Sequence, residues 1–263
     1  MSASPSPQTR SEVITRLRAA GCVFAEDEAQ LLISAAGTPA ELDDMVDQRV
    51  AGLPLEHILG WAEFCGLRVA VDPGVFVPRP RTELLAREAI ALAAQCANPV
   101  VIDMCCGSGA VGATLMAAQD GLALYAVDID PAAVRCARRN IVGGQVLEGN
   151  LFEPLPATLR GRVDILVANT PYVPTDEIET MPREARLHEA LVALDGGPDG
   201  LDVQRQVASA ASDWLAPGGH LLVETSQRQA PLTVEIFAQG GLRSRVARSD
   251  ELDATVVIGA EAV

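Results

Sequence analysis

An α/β protein with a mainly parallel, seven-stranded sheet is predicted by three features of this 263-residue chain. From Thr82 onward, short apolar runs alternate with helix-like segments, the pattern of a sheet covered on both faces. The first run leads into a glycine-rich turn, Asp103-Met104-Cys105-Cys106-Gly107-Ser108-Gly109. The fourth ends in Asn169-Thr170-Pro171-Tyr172, a polar and aromatic turn at a strand's carboxyl end. In open α/β sheets that is where ligands bind.

Taken in order, residues 1–8 are polar and proline-bearing and read as a disordered tail. Residues 9–60 form a small helical domain, with helices expected over 10–20, 25–36 and 39–51. The third has a clear start. Thr38 caps it, Pro39 suits the first helical position and Glu41 completes a capping box. Leu53-Pro54 ends it. Residues 61–82 are a linker with a β-hairpin, whose arms are expected at 67–71 and 75–77 around the Asp72-Pro73-Gly74 turn. Residues 83–263 form the main domain. Its strands are expected at 99–102, 122–127, 145–147, 163–168, 220–223, 242–247 and 255–258, and its helices at 83–95, 110–119, 131–140, 200–215 and 228–238.

Composition narrows the chemistry. Apolar residues make up 49% of the chain, enough for a sizeable core, and the net charge is −15. That charge opposes non-specific binding to nucleic acid or to an anionic membrane. All twenty basic residues are arginine, which removes Schiff-base and Walker-type lysine chemistry. The six cysteines form no C-x-x-C pair, and the three histidines lie far apart, so no metal site is expected. No run approaches the ~18 apolar residues of a membrane span. A soluble cytoplasmic protein is expected.

The glycine turn and the second strand outline a cofactor site. Gly107 and Gly109 let the backbone turn sharply, and the helix that follows offers free N–H groups. Ser108 and Cys105-Cys106 belong to the same loop. Asp128 ends the second strand, 21 residues after Gly107, where a carboxylate holds the hydroxyls of a ribose. Gly107, Gly109 and Gly112 form G-x-G-x-x-G, so a dinucleotide is one candidate. Asp103 opposes it, because a carboxylate there repels a pyrophosphate but attracts an ammonium. S-adenosylmethionine has a sulfonium and an ammonium and no phosphate, and it is the favoured cofactor. Asn150 and Leu151 follow the third strand and are placed beside the adenine, as hydrogen-bond donor and apolar cover. Phe76 is expected near the methionine end.

Together these residues resemble the protein-(glutamine-N5) methyltransferases that modify peptide-release factors. The likeness covers most of the chain from about residue 54. It rests on Pro54-Leu55-Glu56-His57-Ile58-Leu59-Gly60, the Val75 to Glu83 stretch, Asn169-Thr170-Pro171-Tyr172, Leu194-Asp195-Gly196-Gly197 with Asp199-Gly200-Leu201-Asp202, Trp214-Leu215-Ala216-Pro217-Gly218-Gly219 and Leu222-Val223-Glu224. The tetrapeptide resembles the family's Asn-Pro-Pro-Tyr signature. The resemblance implies a Rossmann-like class I methyltransferase domain, a substrate-holding N-terminal helical domain and a release-factor glutamine as acceptor. Five positions depart from the pattern. Thr170 replaces a proline, Arg81 stands where an acidic residue is usual, Asn150 replaces an aspartate and Cys105-Cys106 replaces a Gly-Thr-like pair.

An amide nitrogen is a poor nucleophile, so the expected mechanism is positioning. The Asn169 side-chain oxygen and the Thr170 carbonyl accept the two N–H bonds of the acceptor NH2, Pro171 shapes the turn and Tyr172 stacks on the acceptor plane. Arg79, Arg81, Arg183 and Arg186 are candidates to flank the acceptor channel. Three other readings share the motif. They are an exocyclic-amino methyltransferase of nucleic acid acting after base flipping, a small-molecule N-methyltransferase and a cofactor-binding relative without turnover. Self-association is not legible in the sequence.

Overall fold

The protein, described here from a computed structural model, is resolved for residues 7–261. Four helices come first: α1 (Pro7–Ala19), α2 (Ala25–Ala35), α3 (Pro39–Val50) and the short α4 (Leu55–Leu59). Val13, Leu17, Ala29, Leu32, Leu42 and Val46 point inward and form their shared core. Thr38 Oγ1 accepts from the Glu41 N–H, and the Glu41 carboxylate accepts from the Thr38 N–H, so the expected capping box is present. The expected tail is corrected at its end. Pro7 and Gln8 already belong to α1, because proline is tolerated in a first helical turn; residues 1–6 lie outside the described residues. α3 ends at Val50, before Leu53-Pro54, and the short α4 follows Pro54 directly.

The hairpin differs from the expected one. Its arms are β1 (Trp61–Phe64) and β2 (Leu67–Ala70), in antiparallel register from Trp61–Ala70 to Phe64–Leu67. The turn is Cys65-Gly66, with φ of 49° and 76°. Two positive φ angles in a two-residue loop match the twist of paired strands. A cysteine in that position hides the signal. Residues 75–77 pair with no strand. They run as a strap in which Gly74 bridges to Glu189, and the Val77 N–H donates to Glu189 Oε1 at 3.2 Å.

The strap leads through a short 3-10 turn (Pro80–Thr82) into α5 (Glu83–Ala93). The main sheet follows: β3 (Val100–Met104), β4 (Ala123–Asp128), β5 (Gln145–Glu148), β6 (Val163–Ala168), β7 (Leu215–Thr225), β8 (Arg243–Ser249) and β9 (Ala254–Ala260). Its order is β5-β4-β3-β6-β7-β9-β8, parallel from β5 to β7, with β9 antiparallel to both β7 and β8. The helices α6 (Ala110–Ala118), α7 (Pro131–Asn140), α8 (Arg183–His188), α9 (Asp202–Trp214) and α10 (Ala230–Gln239) complete the fold. Two apolar layers, one around Leu85, Leu115 and Val167 and one around Leu166, Trp214 and Phe237, cover opposite faces. That is why β3 and β6 read as continuous apolar runs. The seven expected strands are all present. β7 begins five residues before its expected start, and the edge strand β8 alternates half-buried and exposed positions, which is why its signal is weak.

Strand order reverses at β3, whose neighbours β4 and β6 lead to opposite edges. The carboxyl ends of β3 and β6 therefore open a crevice. Arg49 ties the helical unit to the crevice rim. It holds Glu28 at 2.7 Å and reaches Glu184 of α8 at 3.0 Å. Among the described residues no helix is long and apolar enough to cross a membrane.

Candidate active site

The loop after β3 is organised by two carboxylates. Asp103 is buried and its Oδ2 accepts from the Gly112 N–H at 2.8 Å, pinning the first turn of α6. Burial pushes the Asp103 carboxyl up to about 7; the Gly112 N–H counters this and Asp128 adds to it. Asp128, at the end of β4, accepts from the Gly107 N–H at 2.8 Å through one oxygen and from the Asp130 N–H at 2.9 Å through the other. Burial raises this carboxyl too, and those N–H groups hold it back. Cys105 has a φ of 57°, a left-handed conformation unfavourable for a side-chain-bearing residue, and Leu151 shares it at 47°. Such strain gathers where a backbone serves a ligand. Burial pushes both the Cys105 and Cys106 thiols upward, so they are neutral wall atoms rather than nucleophiles.

A single cavity of about 250 Å³ runs from this loop to the end of β6. Asp103, Cys105, Cys106, Gly107, Ser108, Asp128, Asn150, Leu151, Asn169, Thr170, Pro171, Tyr172 and Phe76 all line it. Gly109 is not among the residues that line it. It caps α6 with a φ of 78°, and a Cβ there would meet Ile141 Cδ1 at 2.8 Å. It serves the close packing of loop on helix. Asn150 is exposed, with its side-chain amide 3.4 Å from Glu153. Phe152, next to Leu151, turns away from the cavity wall and stacks on Trp214.

At the other end, Asn169 spends its amide N–H on Thr82 Oγ1 at 3.3 Å, so its carbonyl oxygen is the end free for a donor in the cavity. The loop after α8 braces the turn. The Val173 N–H donates to Leu194 O at 3.1 Å, and the Gly196 N–H donates to Val173 O at 2.9 Å. Thr82 was not among the sequence candidates. It is buried, it lines the cavity, and its proximity to Asn169, 87 residues away, has no local sequence signal. Ile129, Met181, Val192 and Leu194 are further wall residues that sequence reasoning missed. Of the four candidate arginines, Arg79 and Arg81 line the cavity and Arg183 and Arg186 do not. Arg79 pairs with buried Glu189 at 2.6 Å and lies over the Phe76 ring.

Thr170 is buried, and among the described residues its hydroxyl has no hydrogen-bond partner. An orphaned buried hydroxyl costs about 1–3 kcal/mol. Thr170→Val is therefore expected to stabilise the fold by about 1 kcal/mol, or about 2–4 °C in Tm for a chain of this size. Calorimetry of the two proteins checks this; a lower Tm for the variant contradicts it.

Comparison with known proteins agrees with this geometry. Residues 67–201 match the model of the methyltransferase small domain family. A release factor glutamine methyltransferase from Gloeobacter violaceus is 40% identical over 193 residues, covering 71% of this chain and 66% of its own length. One from Geobacter sulfurreducens is 39% identical over 201 residues, covering 75% and 69%. The chain thus spans about two thirds of these relatives. A 4-amino-L-phenylalanine/4-methylamino-L-phenylalanine methyltransferase from Streptomyces pristinaespiralis is 34% identical over 235 residues, covering 86% of this chain and 80% of its own. Among solved structures, a methyltransferase from Pyrococcus furiosus shares the fold, with a TM-score of 0.55 at 16% identity over 76% of this chain and 91% of that one. By sequence, the chain belongs to the methyltransferase small domain family and, within it, to the release factor glutamine methyltransferases.

Proposed function

We propose that the protein is an S-adenosylmethionine-dependent N-methyltransferase that modifies the side-chain amide of a glutamine in a protein, a peptide-release factor being the favoured acceptor. The observation that carries this reading is the shared cavity: a two-carboxylate, glycine-lined wall at one end and the Asn169-Thr170-Pro171-Tyr172 turn at the other.

The residues fit the cofactor. A Cβ at Gly107 would project into open space, so the loop leaves a cradle there. The buried Asp103 and half-buried Asp128 carboxylates beside it suit an ammonium and ribose hydroxyls, and they repel a phosphate. Asp103 would hold the ammonium, Asp128 the ribose, and Leu151 the adenine face, with Asn150 as donor at its edge. When bound, the cofactor supplies a methyl group made electrophilic by its sulfonium. The protein's part is to aim a nitrogen at it. Asn169 Oδ1 and the Thr170 carbonyl accept the acceptor's two N–H bonds and stabilise positive charge developing on that nitrogen. Pro171 shapes the turn, and Tyr172 covers the acceptor plane. Good alignment alone supplies ~7–11 kcal/mol in intramolecular reactions. Residues 9–60 would help hold the protein acceptor.

Asp103 makes cofactor affinity depend on pH. Its carboxyl titrates at about 7 in the free protein, raised by burial. An ammonium partner favours the ionised form, so binding releases a proton and tightens as pH rises through 7. Affinity is expected to be about fivefold higher at pH 7 than at pH 6, the ratio of ionised Asp103 fractions over a range in which the cofactor's amino group stays charged. Calorimetric titration measures this, and the slope should vanish in Asp103→Asn. A slope that survives the substitution assigns the effect elsewhere.

The likeness to the 4-amino-L-phenylalanine methyltransferase spans a larger share of both chains than the two release-factor likenesses given above, and it favours a second reading, an aromatic amine as acceptor. Purified protein with radiolabelled S-adenosylmethionine is to be offered release factors, 4-amino-L-phenylalanine and RNA in parallel. Label in the release factor supports the first reading. Label in the amino acid alone establishes the second, and label in RNA alone overturns both.

A further inference from the structure

We infer that Arg81, Glu224 and Tyr172 act as one unit that fixes the Tyr172 ring against the methyl acceptor, which makes Arg81 and Glu224 positioning residues for the reaction. The inference rests on the acceptor reading above, in which Tyr172 covers the plane that carries the NH2.

Glu224 lies near the end of β7 with only 2% of its side chain exposed. Isolated, such a carboxylate is costly to bury. Here Oε1 accepts from Tyr172 Oη at 3.2 Å and from Arg81 Nε at 3.3 Å, while Oε2 is buried and has no partner. All the hydrogen bonding of this buried charge among the described residues is thus directed at Arg81 and Tyr172, and none at the fold around it. Arg81 closes the triangle, with its guanidinium carbon 5.9 Å from the centre of the Tyr172 ring. Burial and the nearby Glu224 push the Tyr172 phenol upward, so it stays protonated and donates. The backbone of Tyr172 is anchored as well. Buried Gln229 donates from Nε2 to Tyr172 O at 3.0 Å and to Asp199 O at 3.1 Å. Ring and main chain are therefore both held from the β7–α10 side.

The turn that carries Arg81 also carries Thr82, which holds the amide of Asn169. One 3-10 turn, Pro80–Thr82, thus grips both ends of the acceptor motif: Asn169 through Thr82, and Tyr172 through Arg81 and Glu224. The unit is charge-neutral overall, so its work is geometric. A ring free to swing would cost turnover while leaving cofactor binding intact, because none of the three touches the two-carboxylate end.

A double-mutant cycle tests this with whichever acceptor takes label. Tyr172→Phe and Glu224→Gln are each expected to lower kcat about tenfold with cofactor affinity within twofold, and the double variant to be no slower than the slower single. Arg81→Lys, which keeps the charge, should recover more activity than Arg81→Gln. Effects that multiply to about a hundredfold, or singles within twofold of the parent, overturn the unit. Arg81→Gln with Tyr172→Phe forms the same cycle if Glu224→Gln does not fold. A second readout needs no acceptor. The chain has two tyrosines, so the Cζ resonance of Tyr172 in protein made with 13C-labelled tyrosine is assigned by its loss in Tyr172→Phe. It is expected to move in Glu224→Gln and in Arg81→Gln; an unmoved resonance overturns the unit. A parent protein that methylates no acceptor marks failure of the acceptor reading, and the resonance then decides the inference alone.

Discussion

Asn169→Ala is expected to lower kcat by about 10²–10³-fold, the usual loss when a preorganised polar group facing developing charge is removed. The substitution deletes the side-chain oxygen that faces the cavity but leaves Asp103, Asp128 and the glycine loop untouched. Cofactor affinity should therefore stay within about twofold of the parent, the signature of a group that acts mainly in the transition state. Asn169 is half-buried, and among the described residues its side chain makes one hydrogen bond, to Thr82 at 3.3 Å. Its loss should cost little stability, so a low rate will not reflect unfolding. Steady-state kinetics beside calorimetric titration separates the two quantities. Near-parental turnover would remove the mechanism.

Asp128→Ala should act in the opposite way, through affinity. Asp128 is the joint between β4 and the β3–α6 loop, because its two oxygens take the backbone N–H groups of Gly107 and Asp130. Hydrogen bonds to a charged group contribute about 1.5–3 kcal/mol each, and a ribose contact would be lost with them. Cofactor affinity is expected to fall about a hundredfold. Asp128→Asn is no mild variant, since its NH2 would point at one of those N–H donors. It too should bind at least about tenfold more weakly. Calorimetry measures both variants. Binding by Asp128→Ala within threefold of the parent would mean that the cofactor lies elsewhere.

Much of this was legible in the residues, for reasons that differ by element. Parallel strands buried on both faces leave unbroken apolar runs, so 99–102 and 163–168 announced β3 and β6 directly. Thr38 and Glu41 announced α3 because capping is local chemistry. The hairpin was misread because its two positive φ angles fall on Cys65 and Gly66, while Asp72-Pro73-Gly74 offers a conventional turn in a strap that pairs with no strand. Gly109 packs closely on Ile141, and a glycine pattern alone does not distinguish such packing from approach to a ligand. Thr82 and Gln229 have no sequence signal, and Glu224 stands only within a family-like segment without a role, because all three meet the acceptor motif through long-range packing, across 87, 57 and 52 residues respectively. The resemblance had pointed to Arg81 as an oddity. Only the geometry gives it a partner, Glu224, and a ring to hold.

The most direct test of the account is peptide mapping by mass spectrometry of a release factor incubated with the protein and S-adenosylmethionine. The account predicts one added methyl group on the side-chain nitrogen of a single glutamine, absent when Asn169→Ala replaces the parent. A methyl group on a carboxylate, hydroxyl or thiol, or an unmodified release factor despite measurable cofactor binding, would contradict it.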